Sequence, residues 1–197
     1  MANFDRLADQ GREIFLRYDQ KEMLRRFPME SDANRFYVNF CGERLLLDRQ
    51  TGALQHEDGC PAGPAAMLSV YDMLCRTDDP PGLSGAWRAT NQLPGVAQSN
   101  PDGDTLQRPY VVCFERDPER LRRALKARGG IPFPVGDIAF ELRVFDWFPL
   151  VLQFWQGDEE FPSKLCFLWD EHALRYLHYE TLHYIMMYLL ERLGEEP

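Results

Sequence analysis

The sequence predicts an α+β fold: a mostly antiparallel sheet with about four helices, the last one long and largely buried. Three observations carry this reading. Stretches of strict apolar–polar alternation are short and joined by turn residues. The first and last stretches repeat apolar residues at helical spacing. The elements follow in the order helix, hairpin, helix, loop, strand, helix, meander, helix, which suits helices laid against an antiparallel sheet.

Residues 4–27 read as the first helix, with Phe4, Leu7, Ile14, Phe15, Tyr18 and Leu24 near one stripe. Gly11 weakens this helix and Pro28 ends it. Phe36, Val38 and Phe40 then alternate with Tyr37 and Asn39, as a half-buried strand requires. Cys41-Gly42-Glu43 turns the chain, residues 44–48 return, and residues 52–56 add a third short strand. Pro64 suits the first position of a second helix, whose buried face carries Met67, Leu68, Tyr71, Leu74 and Cys75. That helix stops near Asp78-Asp79-Pro80-Pro81.

Residues 83–104 are the least regular part. They read as a long loop that packs on the body through Trp87, with a short strand at Trp87-Arg88. Tyr110 to Phe114 reads as a strand. A helix with Asp117 as N-cap, Pro118 at its first position and Gly129-Gly130 as its stop follows. Ile138, Phe140, Leu142 and Val144 mark a clear strand, and residues 150–155 and 164–169 form an antiparallel hairpin around Gly157-Asp158. Asp170 caps a final helix reaching to about Leu193. Residues 1–197 form a single domain in this reading, with an N-terminal helix and hairpin over 1–62 and the main body over 63–197.

Composition narrows the function classes. A net charge of −9 opposes attraction to phosphate backbones and to anionic membranes, so neither nucleic acid nor a membrane is an expected partner. No apolar run is long enough to span a bilayer, and the start lacks the apolar core of an export signal. The expected location is the cytoplasm. The five cysteines are scattered without a C-x-x-C pair, which argues against zinc ribbons and iron–sulfur clusters. Cys166 lies mid-strand and reads as inert. Phosphate-cradling loops, dinucleotide fingerprints and nucleophile elbows are absent.

Several elements, in order and spacing, resemble domain-of-unknown-function family 3786. They are Leu68 through Leu74, Leu83-Ser84-Gly85-Ala86-Trp87-Arg88, Gly136 through Phe140, Phe148 through Leu152, Trp155-Gln156-Gly157-Asp158-Glu159-Glu160-Phe161-Pro162 and Phe167-Leu168-Trp169-Asp170. Together they span residues 67–193. The tryptophan, the Gly-Asp-Glu-Glu-Phe-Pro run and the later aspartate are the most specific of them. The resemblance implies a setting in the metabolism of anaerobic bacteria and archaea, with a hint of corrinoid or one-carbon chemistry, and assigns no catalytic residue. The chain departs from the family at Trp87-Arg88-Ala89-Thr90 and lacks the cluster-binding cysteines of some relatives.

Three constellations are candidates for a site. In the acidic loop, extended geometry puts Asp158 and Glu160 on one side and Glu159 on the other. Paired carboxylates serve acid–base work or hold a hard cation, with Asp102 and Asp104 as further oxygen donors. The competing reading is a solvated turn in which Asp158 accepts backbone N–H groups. On the last helix, His178 lies in an aliphatic stripe, while His172, Tyr176, Tyr179, His183, Met186, Met187 and Leu190 form another. Such a surface suits the core, a flat ligand such as a tetrapyrrole, or pairing of two copies into a homodimer. The helix after Asp117 presents Arg122, Arg123 and Lys126 as a small basic face.

The leading expectation is a small-molecule-binding or accessory module whose pocket is bordered by Trp87, Arg88, Trp155 and the Asp158–Glu160 loop. His178 is a further ligand-binding candidate. One alternative is a hydrolase or lyase using Asp158 and Glu160 with a divalent cation. The other is an interaction module pairing through the C-terminal helix. The sequence specifies no cofactor.

Overall fold

The computed structural model of the chain describes residues 2–76, 82–96 and 103–195. Two helices open the chain, α1 (Ala2–Arg17) and α2 (Gln20–Arg26). A first antiparallel sheet follows in the order β1-β2-β3-β4, from β1 (Glu30–Ser31), β2 (Arg35–Phe40), β3 (Glu43–Asp48) and β4 (Leu54–His56). After α3 (Pro64–Cys75) come β5 (Trp87–Ala89), a short 3-10 turn at Thr90–Gln92, α4 (Gly103–Arg116) and α5 (Pro118–Ala127). Next are β6 (Ile131–Pro132), β7 (Ile138–Phe145), β8 (Phe148–Trp155) and β9 (Lys164–Asp170), which with β5 make a second antiparallel sheet in the order β5-β9-β8-β7-β6. The chain closes with α6 (Ala173–Tyr176) and α7 (Tyr179–Glu195).

The α+β class and the antiparallel pairing agree with the sequence reading, and several details differ. There are two sheets, joined where Cys41 N–H donates to the Val144 carbonyl (2.9 Å) and the Phe40 and Phe145 rings meet at 5.3 Å. There are seven α-helices among the described residues, where about four were expected. The predicted first helix is broken at Tyr18-Asp19, because the Asp19 carboxylate accepts the Lys21 amide and starts a new helix. Gly11 does not interrupt α1. Its missing side chain admits the Tyr71 ring of α3, whose Cδ2 would lie 2.9 Å from an added Cβ. The stop predicted at Asp78-Asp79-Pro80-Pro81 lies outside the described residues.

The predicted strand at Tyr110–Phe114 is instead the middle of α4. Two adjacent valines and Pro109 misdirect a local reading, since both disfavour a helix interior. Tertiary packing overrides them. Tyr110 and Phe114, four residues apart, turn one face to the core with ring centroids 6.4 Å apart, while Val112 is exposed. The short strand expected at Trp87-Arg88 within the 83–104 loop is β5, which pairs with β9 and sets Trp87 opposite Asp170.

Asp170 does not cap the last helix. It ends β9, and the helix it was expected to start is split into α6 and α7 by Leu177-His178. α7 is long and largely buried, with Leu182, Ile185, Leu189, Leu190 and Leu193 in the core. That core is one continuous cluster running from Phe15 through both sheets to Leu193. No helix among the described residues is long and apolar enough to cross a membrane.

Candidate functional site

The acidic loop joins β8 to β9 and is built as a turn. Asp158 Oδ1 accepts the amides of Glu160 and Phe161, both at 2.8 Å, and Asp158 N–H donates to the Phe161 carbonyl at 2.9 Å. The Phe161 and Glu160 amides hold the Asp158 carboxyl below the usual carboxylate range. Glu159 and Glu160 point to solvent. Gly157 N–H donates to Ser163 Oγ at 2.8 Å, and that hydroxyl donates to Glu115 on α4 at 2.8 Å. No group of three metal-ligating side chains forms among the described residues; Asp102 and the side chain of Asp104 lie outside them.

Gly157 has no room for a side chain, since an added Cβ would lie 2.6 Å from Ser163 N and 3.0 Å from the Phe161 carbonyl oxygen. Gly157→Ala is therefore expected to cost about 2 kcal/mol as the loop is pushed open. A thermal melt reads this directly. A wild-type midpoint would mean that the loop absorbs the methyl freely.

A second candidate lies elsewhere, in a cleft of about 330 Å³ between α1, α3 and the start of α7. Leu7, Ile14 and Leu68 supply apolar wall, with the Tyr71 and Tyr184 rings beside them. At its rim is an aspartate–histidine pair. Asp72 Oδ1 lies 2.5 Å from His178 Nδ1, while Asp72 Oδ2 accepts the His178 amide at 2.7 Å and the Thr181 hydroxyl at 2.5 Å. The carboxylate thus does what a local cap would do for α7, from a different helix. Accepting a proton-bearing Nδ1 fixes the imidazole and leaves Nε2 of this half-exposed ring without a partner among the described residues. His178 is accordingly not a core histidine. It precedes the first turn of α7 and is turned outward.

Cys75 also lines the cleft, but burial pushes its thiol up to about 12, against a smaller opposing effect of Arg26. It stays protonated at neutral pH and is no ready nucleophile. Burial also raises the Cys166 thiol.

The other predicted residues are divided between places. The register puts Trp155 and Trp87 on one face of the second sheet, since Trp155 faces Lys164, Trp87 faces Asp170, and these two β9 residues are an even number apart. Trp155 lines a groove of about 740 Å³ with Val111, Phe161 and Lys164, whereas His178 belongs to the cleft. Arg88 reaches the Glu171 carboxylate at 3.5 Å on the surface. Arg122 of the expected basic face pairs with Glu119 at 3.2 Å, and Arg123 with Asp117 at 3.7 Å. The apolar positions of α7 are taken up by the core, which leaves little of the expected pairing surface.

Asp72 is the residue that sequence reading passed over. A lone aspartate among Tyr71, Met73 and Leu74 gives a local signal only of an interrupted apolar helix. Its partners His178 and Thr181 lie more than a hundred positions along the chain.

The chain belongs to the family described as Domain of unknown function (DUF3786), whose match covers residues 19–192. The match takes in the N-terminal hairpin as well as the later motifs. α1, which supplies Leu7 and Ile14 to the cleft, precedes it. No curated protein and no solved structure matches the chain.

Proposed function

We propose that this member of the DUF3786 family is a small-molecule-binding module, with its site in the cleft between α1, α3 and α7. The observation that carries the reading is the Asp72–His178 pair at the rim of a largely apolar cavity. Ligand sites commonly combine apolar walls with a few fixed polar groups, and a volume of about 330 Å³ suits a compact molecule. His178 Nε2 offers the ligand one oriented hydrogen bond, and Leu7, Leu68 and Ile14 offer contact for an apolar body.

A ligand-observed NMR screen of small aromatic and aliphatic acids, amides and alcohols tests this. Binders are expected whose signals are lost when Leu68→Trp fills the cavity. His178→Ala is expected to weaken them about tenfold, the equivalent of ~1.4 kcal/mol. If no binder responds to Leu68→Trp, the cleft is not the site.

The same pair favours one alternative, an enzyme in which His178 Nε2 takes a proton from water or from the bound molecule. The cation-dependent hydrolase or lyase built on Asp158 and Glu160 draws less support, because Asp158 is engaged in shaping its own turn.

A further inference from the structure

The second sheet has a face turned away from the main core, and it is concave. Phe133 N–H donates to the Ala139 carbonyl beside the edge strand β6, and Trp87 belongs to the opposite edge strand β5. Yet their rings meet edge to face with centroids 6.0 Å apart. Four strand spacings of ~4.8 Å separate the two edges in a flat sheet, so the sheet must curl over this face. On the same face is Gln153, opposite Ala139 on one side and Cys166 on the other. The residue is 6% exposed, and its amide makes no hydrogen bond with a described residue.

Two residues along the same strand and on the same face is Trp155, 43% exposed, which opens the groove between β9 and α4. Phe161, 68% exposed, stands in that groove too. Its charged lining residues are Arg108 and Lys164, with no carboxylate among those that line it, in a chain of net charge −9. Aromatic faces, an unpaired amide and a local positive charge occur together here.

We propose that this face binds a planar heterocycle bearing an anionic tail. The heterocycle's lactam edge, an N–H beside a C=O, pairs with both groups of the Gln153 amide, as glutamine pairs with a base edge. Its flat surface lies on Trp155, and its tail reaches Lys164 and Arg108. This site is separate from the α1/α3/α7 cleft and stands or falls independently of it.

Isothermal titration with flavin mononucleotide and guanosine monophosphate tests the assignment, as both carry a lactam edge and a phosphate. At least one is expected to bind saturably in the micromolar range at low salt. Removing the phosphate (riboflavin or guanosine) is expected to weaken the binder at least fivefold. Gln153→Leu is expected to weaken it at least tenfold while leaving the unfolding midpoint equal to or above that of the wild type, since an unpartnered polar group is replaced by an apolar one of similar size. Absence of saturable binding by both nucleotides overturns the proposal. So does unchanged affinity in Gln153→Leu, or a marked fall in its unfolding midpoint, which would make the glutamine a structural residue.

Discussion

Asp170→Ala is expected to lower the stability of the fold by about 3 kcal/mol, because it removes four hydrogen bonds to one buried carboxylate at once. Asp170 is 2% exposed and accepts four hydrogen bonds. They come from Ser84 N–H (3.2 Å), Ser84 Oγ (3.1 Å), Gly85 N–H (2.7 Å) and His172 N–H (2.9 Å). The first three hold the segment that leads into β5, and the fourth fixes the turn into α6. Losing the carboxylate therefore frees Trp87 as well as the end of β9. Burial alone would raise the Asp170 carboxyl, but the amides of His172, Ser84 and Gly85 outweigh it and hold the group below its ordinary value of 3.8.

A group depressed in the folded state contributes stability above its unfolded value and loses it as pH falls through the folded one. The difference in urea midpoint between wild type and Asp170→Asn should thus be full at neutral pH and shrink well below pH 3.8. A difference that stays constant through that range would show that the charge on Asp170 is immaterial.

Glu43→Ala is the second large effect, again about 3 kcal/mol, since it leaves the nearly buried Arg128 guanidinium without its carboxylate. Glu43 opens β3 at the meeting point of the two sheets and α7. Its Oε1 lies 2.8 Å from Arg128 Nη1 and 3.2 Å from Arg192 Nε, and its Oε2 accepts the Tyr188 hydroxyl at 2.9 Å. His56 Nδ1 approaches the same oxygen at 3.3 Å. Four partners from β4, α7 and the end of α5 converge on one side chain that is 24% exposed. Burial pushes the Glu43 carboxyl up, and the Arg128 and Tyr188 hydrogen bonds with the Arg192 charge bring it below its ordinary 4.5. Its contribution also disappears as pH falls. At 2–4 °C per kcal/mol for a chain of this size, each variant should melt roughly 10 °C lower. A shift under about 2 °C for Glu43→Ala would mean that water replaces the carboxylate at no cost.

These two residues show where sequence reading stops. Asp170 before an apolar helical run resembles an N-cap, and at the level of sequence that is the best local explanation. The structure instead uses it to bind a turn some 86 positions earlier, while Asp72 of α3 takes over the cap of α7. Glu43 reads as a turn residue because four of its partners are remote. The motif elements at Leu83–Arg88 and Phe167–Asp170 look independent along the chain, yet the Ser84 and Gly85 amides on Asp170 make them one structural unit. The acidic loop is the converse case. Its hairpin and its Asp158 turn are both legible locally, since every hydrogen bond of that carboxylate goes to a residue within three positions.

The sequence by itself determined what short-range physics controls: the α+β class, the alternating strands, the capped α5, the β8–β9 hairpin and the membership signalled by its motifs. Tertiary structure alone decided what depends on distant residues meeting. It made two sheets rather than one, turned the valine-rich 110–114 stretch into helix, and split both terminal helices. It also set His178 against Asp72 and brought Trp87 around to Phe133. Periodicity and turn chemistry are properties of neighbours in sequence, whereas a cleft or a curled sheet exists only once chain closure has brought remote side chains together.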